Sequence, residues 1–146
     1  MKHNILYSFR RCPFAIRARW ALVNTNQLVE LREVDLKEKP NELIEISKKA
    51  TVPVLMTNSN EVVDESLDIM IWSIRRSNMD ELLGENDKNK SQEIFSLIET
   101  NDKIFKYHLD RFKYASRYKY QDLKIHREAG MEILLELNNR LKNFSN

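Results

Sequence analysis

Strand-like and helix-like segments alternate through the first 77 residues, and this order restricts the possible folds more than any other feature of the sequence. Residues 5–9 are apolar and β-prone, as in a buried strand. Pro13 suits the first turn of a helix, and small and apolar residues continue that helix to about Thr25. Residues 28–34 alternate as a second strand. A strand, a helix and a second strand in this order favour parallel pairing of the two strands.

A helix, two short strands and a last helix follow, at residues 41–49, 52–56, 61–63 and 66–76. The two strands are joined by a turn-rich segment, which predicts an antiparallel hairpin. Ser66 is predicted to cap the last helix. The element order is therefore βαβαββα, with one parallel pair and one hairpin. This combination predicts an α/β, thioredoxin-like fold for residues 1–77.

A polar segment rich in Asp, Asn and Lys separates this part from a helical remainder. We expect residues 78–90 to form a linker with one helical turn at 79–83, and residues 91–146 to form a shortened all-helical domain. Two apolar stripes at helical spacing predict two long helices joined near residues 116–121. These helices carry more apolar side chains than a two-helix hairpin can bury, among them Phe95, Phe105, Phe112, Leu134, Leu141 and Phe144. An uncovered apolar surface indicates a partner, and we expect a homodimer.

Charge and residue content exclude several functional classes. The 146 residues include 24 basic and 22 acidic ones. A nucleic-acid-binding protein needs an excess of basic residues, so we do not expect this protein to bind nucleic acid. Lysine and arginine do alternate with tyrosine over residues 107–120, but a solvated amphipathic helix explains them better than base stacking.

No apolar run could span a membrane and the N-terminus is unlike a signal peptide, so we expect a cytoplasmic protein that does not bind membranes. One cysteine and three scattered histidines give no metal-ligand spacing, and two glycines cannot make a phosphate-binding loop.

Cys12, the only cysteine, lies between the first predicted strand and helix, directly before Pro13. Backbone N–H groups at a helix N-terminus stabilise an anion, and Arg10 and Arg11 add positive charge. A thiol in such surroundings forms thiolate at neutral pH and becomes a nucleophile. The alternative is an inert, buried cysteine, since free cysteine is among the most buried residue types.

Two further segments carry groups that suit a small peptide ligand. A cis peptide bond would allow Pro53 at a strand start and expose neighbouring backbone groups, although an ordinary edge-strand proline is the alternative. The free N–H groups near Ser66 would take a carboxylate, and Glu65 would pair with an ammonium group. Together they suit the headgroup of an α-amino acid, while plain helix capping explains the same residues without a ligand.

Four segments over residues 3–77 resemble the cysteine-type glutathione transferases, the omega-like and glutaredoxin-2-like bacterial enzymes. In chain order they are ILYSFRRCPFAIRAR, LKEKP, TVPVL and DESLDIM. The resemblance continues more weakly into residues 105–114, which look like the start of that family's helical second domain. It implies a glutathione-binding thioredoxin-like domain followed by a shortened C-terminal helical domain, because the family normally continues with several more helices.

The resemblance also implies roles for individual residues. Cys12 would be the catalytic thiol and would form a mixed disulfide with glutathione, the cosubstrate. The implied glutathione contacts are Phe14 along the wall of the site, Lys39 at the glycine carboxylate, the backbone of Val52 beside cis-Pro53 at the cysteinyl part, and Glu65 with Ser66 at the γ-glutamyl end.

Three functions follow as hypotheses. The first is a glutathione-dependent thiol transferase or disulfide reductase that acts on glutathionylated substrates through a mixed disulfide at Cys12. The second is conjugation of glutathione to small electrophiles, which needs a hydroxyl such as that of Tyr7 or Ser8 to stabilise the glutathione thiolate. The third is a non-catalytic binding protein that has kept the fold.

Overall fold

The computed structural model describes residues 3–118 and 122–144, with side chains to residue 142. The backbone divides into two compact units, one up to Asn86 and one from Asp87 onwards. The first unit contains a sheet and three helices, and the second is helical.

The sheet of the first unit has four strands in the order β2-β1-β3-β4. The strands are β1 (Asn4–Ser8), β2 (Val29–Glu33), β3 (Val54–Met56) and β4 (Val62–Val63). β1 pairs in parallel with β2 and antiparallel with β3, and β3 pairs antiparallel with β4. Both the parallel pair and the hairpin were predicted from the sequence, and the thioredoxin-like fold is confirmed. β3 begins two residues later than predicted, because Pro53 has no N–H to donate to the sheet.

Three helices pack on this sheet, namely α1 (Pro13–Asn24), α2 (Asn41–Ile46) and α3 (Ser66–Arg76). The prediction that α2 continues to residue 49 was wrong. Ser47 is extended there, and its hydroxyl bonds the amide of Ala50 and the carboxylate of Asp64 instead of continuing the helix.

The two faces of the sheet carry separate apolar clusters, because alternate residues of β1 point to opposite sides. One cluster, packed under α1 and α3, comprises Leu6, Ala18, Leu22, Leu55 and Ile69. The other lies on the α2 side and comprises Tyr7, Val34, Leu43 and Val54. Each fully buried aliphatic side chain contributes about 1.5–3 kcal/mol relative to its exposed state. These clusters fix the end of β1, where the chain turns toward Cys12.

The second unit is a helical hairpin. Its helices are α4 (Lys88–Glu99), α5 (Lys106–Lys113) and α6 (Leu123–Phe144), with a π-helical segment, Thr100–Phe105, between α4 and α5. α4 begins inside residues 78–90, where Asp87 accepts hydrogen bonds from the first-turn amides. The helical turn expected at residues 79–83 is a 3₁₀ helix at Asp80–Leu83. Of the junction predicted at 116–121, residues 119–121 lie outside the described residues, as does the side chain of Phe144.

Two of the scattered histidines meet inside this hairpin. The Nδ1 atoms of His108 on α5 and His126 on α6 are 2.9 Å apart, within hydrogen-bond distance. The ring of Tyr107 stands edge-on to both imidazoles, and the guanidinium of Arg111 lies 3.4 Å from the centre of the Tyr107 ring. No pattern in the sequence indicates this cluster, since 18 residues separate the two histidines.

None of the helices in the described ranges combines the length and apolar character needed to cross a bilayer.

Candidate functional site

Cys12 occupies the N-cap position of α1 and is partly buried. Its amide donates to the carbonyl of Phe9 (3.0 Å), and its own carbonyl accepts from the amide of Ile16 (2.9 Å). The thiol therefore lies at the helix N-terminus, where unpaired backbone N–H groups favour an anion.

The thiol of Cys12 faces the segment that leads into β3. Its Sγ donates to the main-chain carbonyl of Val52 at 3.6 Å, across 40 residues of sequence. The Val52–Pro53 peptide bond is cis, as the resemblance to the cysteine-type glutathione transferases implies. The thiol and the segment before β3 thus meet at one end of the two central strands, β1 and β3, where a nucleophile lies next to main-chain groups.

The turn between β1 and α1 is braced by two side chains that the sequence analysis missed. The guanidinium of Arg19, on α1, donates to the Ser8 hydroxyl and to backbone carbonyls of the turn. From the other side, the carboxylate of Glu33 at the end of β2 accepts the Arg10 amide at 2.7 Å. The only sequence signal for Arg19 is its position seven residues, or two helical turns, after Cys12.

Ser66 is the first residue of α3 and does not cap it, so the capping prediction was wrong. Glu65 holds the N-cap position, and no side-chain hydrogen bond caps the helix. The Ser66 hydroxyl instead accepts a hydrogen bond from Arg17 Nη2 at 2.8 Å. The Arg17 guanidinium also lies 5.6 Å from the ring centre of Phe14, so a single arginine joins two of the predicted glutathione contacts.

Glu65 forms an ion pair with Lys49, and both side chains are more than half exposed. The hydrogen bond and the charge of Glu65 raise the pKa of Lys49 above its ordinary value. Next to this pair, Asp64 accepts a hydrogen bond from Ser47 at 2.6 Å through Oδ2. Its buried Oδ1 has no hydrogen-bond donor among the residues that the structure describes. The start of α3 therefore carries two neighbouring carboxylates, of which that of Glu65 is exposed.

Lys39 lies half-buried in the segment that leads to α2. Its ammonium group makes no hydrogen bond or ion pair within residues 3–118 and 122–144, so the structure does not join it to Cys12 or Glu65. Its predicted contact with the glycine carboxylate stays a prediction.

The hydroxyls of Tyr7 and Ser8, the candidates for stabilising a glutathione thiolate, are buried. The Ser8 hydroxyl accepts from Arg19 at 2.5 Å, and the Tyr7 hydroxyl accepts from Arg32 at 3.2 Å. Because Tyr7 belongs to the cluster on the α2 side of the sheet, its ring is part of the core.

Within the described part of the chain, no group of three or more His, Cys, Asp or Glu side chains could hold a metal ion.

A thiol at the first helix of a βαβαββα domain, facing a cis-proline segment, defines a protein of the thioredoxin-fold class. The family model of the glutathione S-transferase N-terminal domain matches residues 6–78. This is half of the chain, and the protein therefore belongs to the glutathione S-transferase N-terminal domain family.

Solved structures of glutathione transferases share the fold. The trimeric glutathione transferase TDR1 from Leishmania is 27% identical, with a TM-score of 0.73, over 94% of this chain and 31% of that chain. An unclassified glutathione S-transferase from Bombyx mori is 15% identical, with a TM-score of 0.81, over 97% of this chain and 68% of that chain. The Omega 3C transferase from Trametes versicolor is 16% identical, with a TM-score of 0.74, over 95% of this chain and 59% of that chain.

This chain thus spans 31% of the Leishmania protein, 68% of the Bombyx mori protein and 59% of the Trametes versicolor protein. A comparison with curated protein sequences finds no significant match.

Proposed function

We propose that this protein binds glutathione and acts as a glutathione-dependent thiol transferase of the cysteine type, with Cys12 as the catalytic thiol. The observation that carries the proposal is the contact between Cys12 Sγ and the Val52 carbonyl. It supports a site in which a peptide that pairs with the Val52 backbone holds its own sulfur beside Cys12.

Charged groups around α3 favour glutathione as the peptide. The γ-glutamyl end of glutathione carries an ammonium and a carboxylate on one carbon. Glu65 would accept the ammonium in place of Lys49, and the backbone N–H groups of the first turn of α3, at Ser66, would bind the carboxylate. Structures that share the fold have been determined with lactoylglutathione and with glutathione bound, which supports the same ligand here.

The opposite end of the ligand would reach the other side of Cys12. Lys39 has a free ammonium among the described residues and is the candidate for the glycine carboxylate. Phe14, half-buried on the first turn of α1, would form an apolar wall next to the cysteinyl part.

The reaction consists of two thiol–disulfide exchanges. The Cys12 thiolate attacks the glutathionyl sulfur of a mixed disulfide, so that a Cys12–glutathione disulfide forms and the substrate leaves as a thiolate that takes up a proton. A second glutathione thiolate then attacks the glutathionyl sulfur, which releases oxidised glutathione and regenerates Cys12. A single cysteine suffices because glutathione resolves the intermediate.

Conjugation of glutathione to electrophiles is the second candidate, and the site favours it less. It needs a hydroxyl beside the glutathione sulfur, whereas the Ser8 and Tyr7 hydroxyls are buried and accept from arginines. A non-catalytic binding protein is the third candidate, and it predicts glutathione binding without turnover.

Steady-state assays separate these candidates. The proposal predicts that the protein reduces the mixed disulfide of glutathione and 2-mercaptoethanol with glutathione as reductant, and that Cys12→Ser abolishes this activity. Conjugation of 1-chloro-2,4-dinitrobenzene, retained in Cys12→Ser, would instead support the second candidate. Glutathione binding with neither activity would support the third.

A further inference from the structure

Arg19 is half-buried on α1, two helical turns after Cys12, and its side chain reaches back to the start of that helix. Nη1 donates to the Ser8 hydroxyl at 2.5 Å and to the Phe9 carbonyl at 3.3 Å. Nη2 donates to the Arg10 carbonyl at 3.0 Å. One guanidinium therefore holds three consecutive residues of the turn between β1 and α1.

This turn is connected directly to the backbone of Cys12. The Phe9 carbonyl that accepts from Arg19 also accepts from the Cys12 amide at 3.0 Å. Movement of Phe9 would therefore shift Cys12 relative to the N-terminus of α1 and to the Val52 carbonyl that its thiol contacts.

A guanidinium suits this position better than an ammonium. It is planar and presents several N–H donors in a fixed fork, so it can bind acceptors on three neighbouring residues at once. An ammonium on a flexible stem would keep the positive charge but would hold fewer of these acceptors.

We propose that Arg19 is the positioning residue for Cys12: by holding residues 8–10 it keeps the thiol at the N-terminus of α1, where the backbone N–H groups favour the thiolate. The proposal rests on the proposed function only in taking Cys12 as the reacting group. Arg19 acts through the turn and has no assigned contact with substrate.

The pH profile of Cys12 alkylation tests this role, because Cys12 is the only cysteine of the chain. Rates with iodoacetamide would be measured from pH 5 to 9 for the wild type, Arg19→Lys and Arg19→Gln. We expect the pH of half-maximal rate to rise in both variants, since both lose the fork. At any pH below the wild-type midpoint, the rate should fall roughly tenfold for each unit of that rise.

Thr25→Val is the matched control for a general loss of stability. Thr25 lies at the opposite end of α1, where its hydroxyl donates to the carbonyls of Ala21 (2.8 Å) and Leu22 (3.3 Å). This variant should lose stability but keep the wild-type alkylation profile. Circular dichroism and thermal melts would show how far each variant is destabilised.

Three results would overturn the proposal. A wild-type profile in Arg19→Lys would mean that charge alone matters, and a wild-type profile in both Arg19 variants would leave Arg19 a purely structural role. An equal shift in Thr25→Val would mean that any loosening of α1 has the same effect. Failure of the proposed function is distinguishable, because it would appear as a wild-type protein that forms no adduct with glutathione, whatever the alkylation profiles show.

Discussion

The thiol of Cys12 lies 3.6 Å from the carbonyl oxygen of Val52, so the N-terminus of α1 and the cis-proline segment before β3 meet at one point. This contact brings together two segments that are distant in sequence. The start of α3 forms the third side of the candidate site.

Glu65→Ala should weaken glutathione binding by about 1.5–3 kcal/mol, because a charge-assisted contact with the ligand's ammonium is lost. Lys39→Ala should cost less, roughly 1 kcal/mol or below, since a flexible lysine near the surface holds its partner loosely. Calorimetric titration measures both. Glu85→Ala is the matched control, because Glu85 forms an exposed ion pair with Arg75 in the same unit and should not affect affinity. Unchanged affinity in Glu65→Ala would mean that residues 64–66 serve only to begin α3.

We expect the burial of His126 beside His108 to make the helical unit sensitive to acid. Burial lowers the pKa of His126, the positive charges of His108 and Arg111 lower it further, and Asp122 opposes the shift. A histidine whose pKa is lower in the folded state binds more protons when unfolded, so stability rises with pH. The stability that His126 contributes is complete above about pH 6.5, the ordinary pKa of histidine. It is lost as the pH falls through the folded-state pKa of His126.

Hydrogen exchange of α5 and α6 peptides between pH 5 and 8, corrected for intrinsic rates, would measure this effect. We expect protection to decrease toward pH 5 in the wild type and in His3→Gln, whose histidine is exposed. In His126→Gln the pH dependence should flatten. Equal pH dependence in His126→Gln and the wild type would contradict a role for this pair.

Gly130→Ala should stabilise the protein by roughly 0.5–1 kcal/mol, because glycine inside a helix costs about that much relative to alanine. Gly130 lies in α6, and an added Cβ would be 3.8 Å from the Phe105 ring, an ordinary packing distance. Gly84→Ala is the opposite control, since Gly84 has a φ of 69° and should lose stability on substitution. Urea unfolding compares the two variants. A loss of stability in Gly130→Ala would show that Phe105 cannot accommodate a methyl group.

Apolar side chains remain exposed on α6, including Leu135 (54%) and Leu141 (66%), and on α5 at Phe112. We expect a homodimer in which the helical units pack around a two-fold axis, because such a surface is costly in water. Light scattering at micromolar concentration should give twice the chain mass of 17.4 kDa. The double variant Leu135→Glu/Leu141→Glu should halve that value. A wild-type monomer that binds no hydrophobic dye would contradict the prediction.

The sequence predicted the thioredoxin-like fold because each of its elements carries a local signal. Pro13 marks the start of α1, alternation marks β2, and the segment around Asn58 marks the hairpin. The ends of elements were less predictable where a distant side chain competes for a local group. α2 stops at Ile46 because the Ser47 hydroxyl bonds Asp64, which is 17 residues away.

The residues of the candidate site show the same difference between a local signal in the sequence and a dependence on distant partners. Cys12, Pro53 and Glu65 could be proposed as site residues because they lie in short segments that resemble a known family. Arg19 could not, since its three acceptors are brought within reach only when α1 forms over the turn. The capping role predicted for Ser66 was wrong, because its hydroxyl bonds Arg17, 49 residues earlier in the sequence.

Intact-mass spectrometry after incubation with oxidised glutathione shows whether Cys12 accepts a glutathionyl group. We expect one added glutathione on each wild-type chain, removed by reduced glutathione, and none on Cys12→Ser. A wild-type protein that stays unmodified while it remains folded would show that Cys12 is not a glutathione-accepting thiol, and the proposed function would then be wrong.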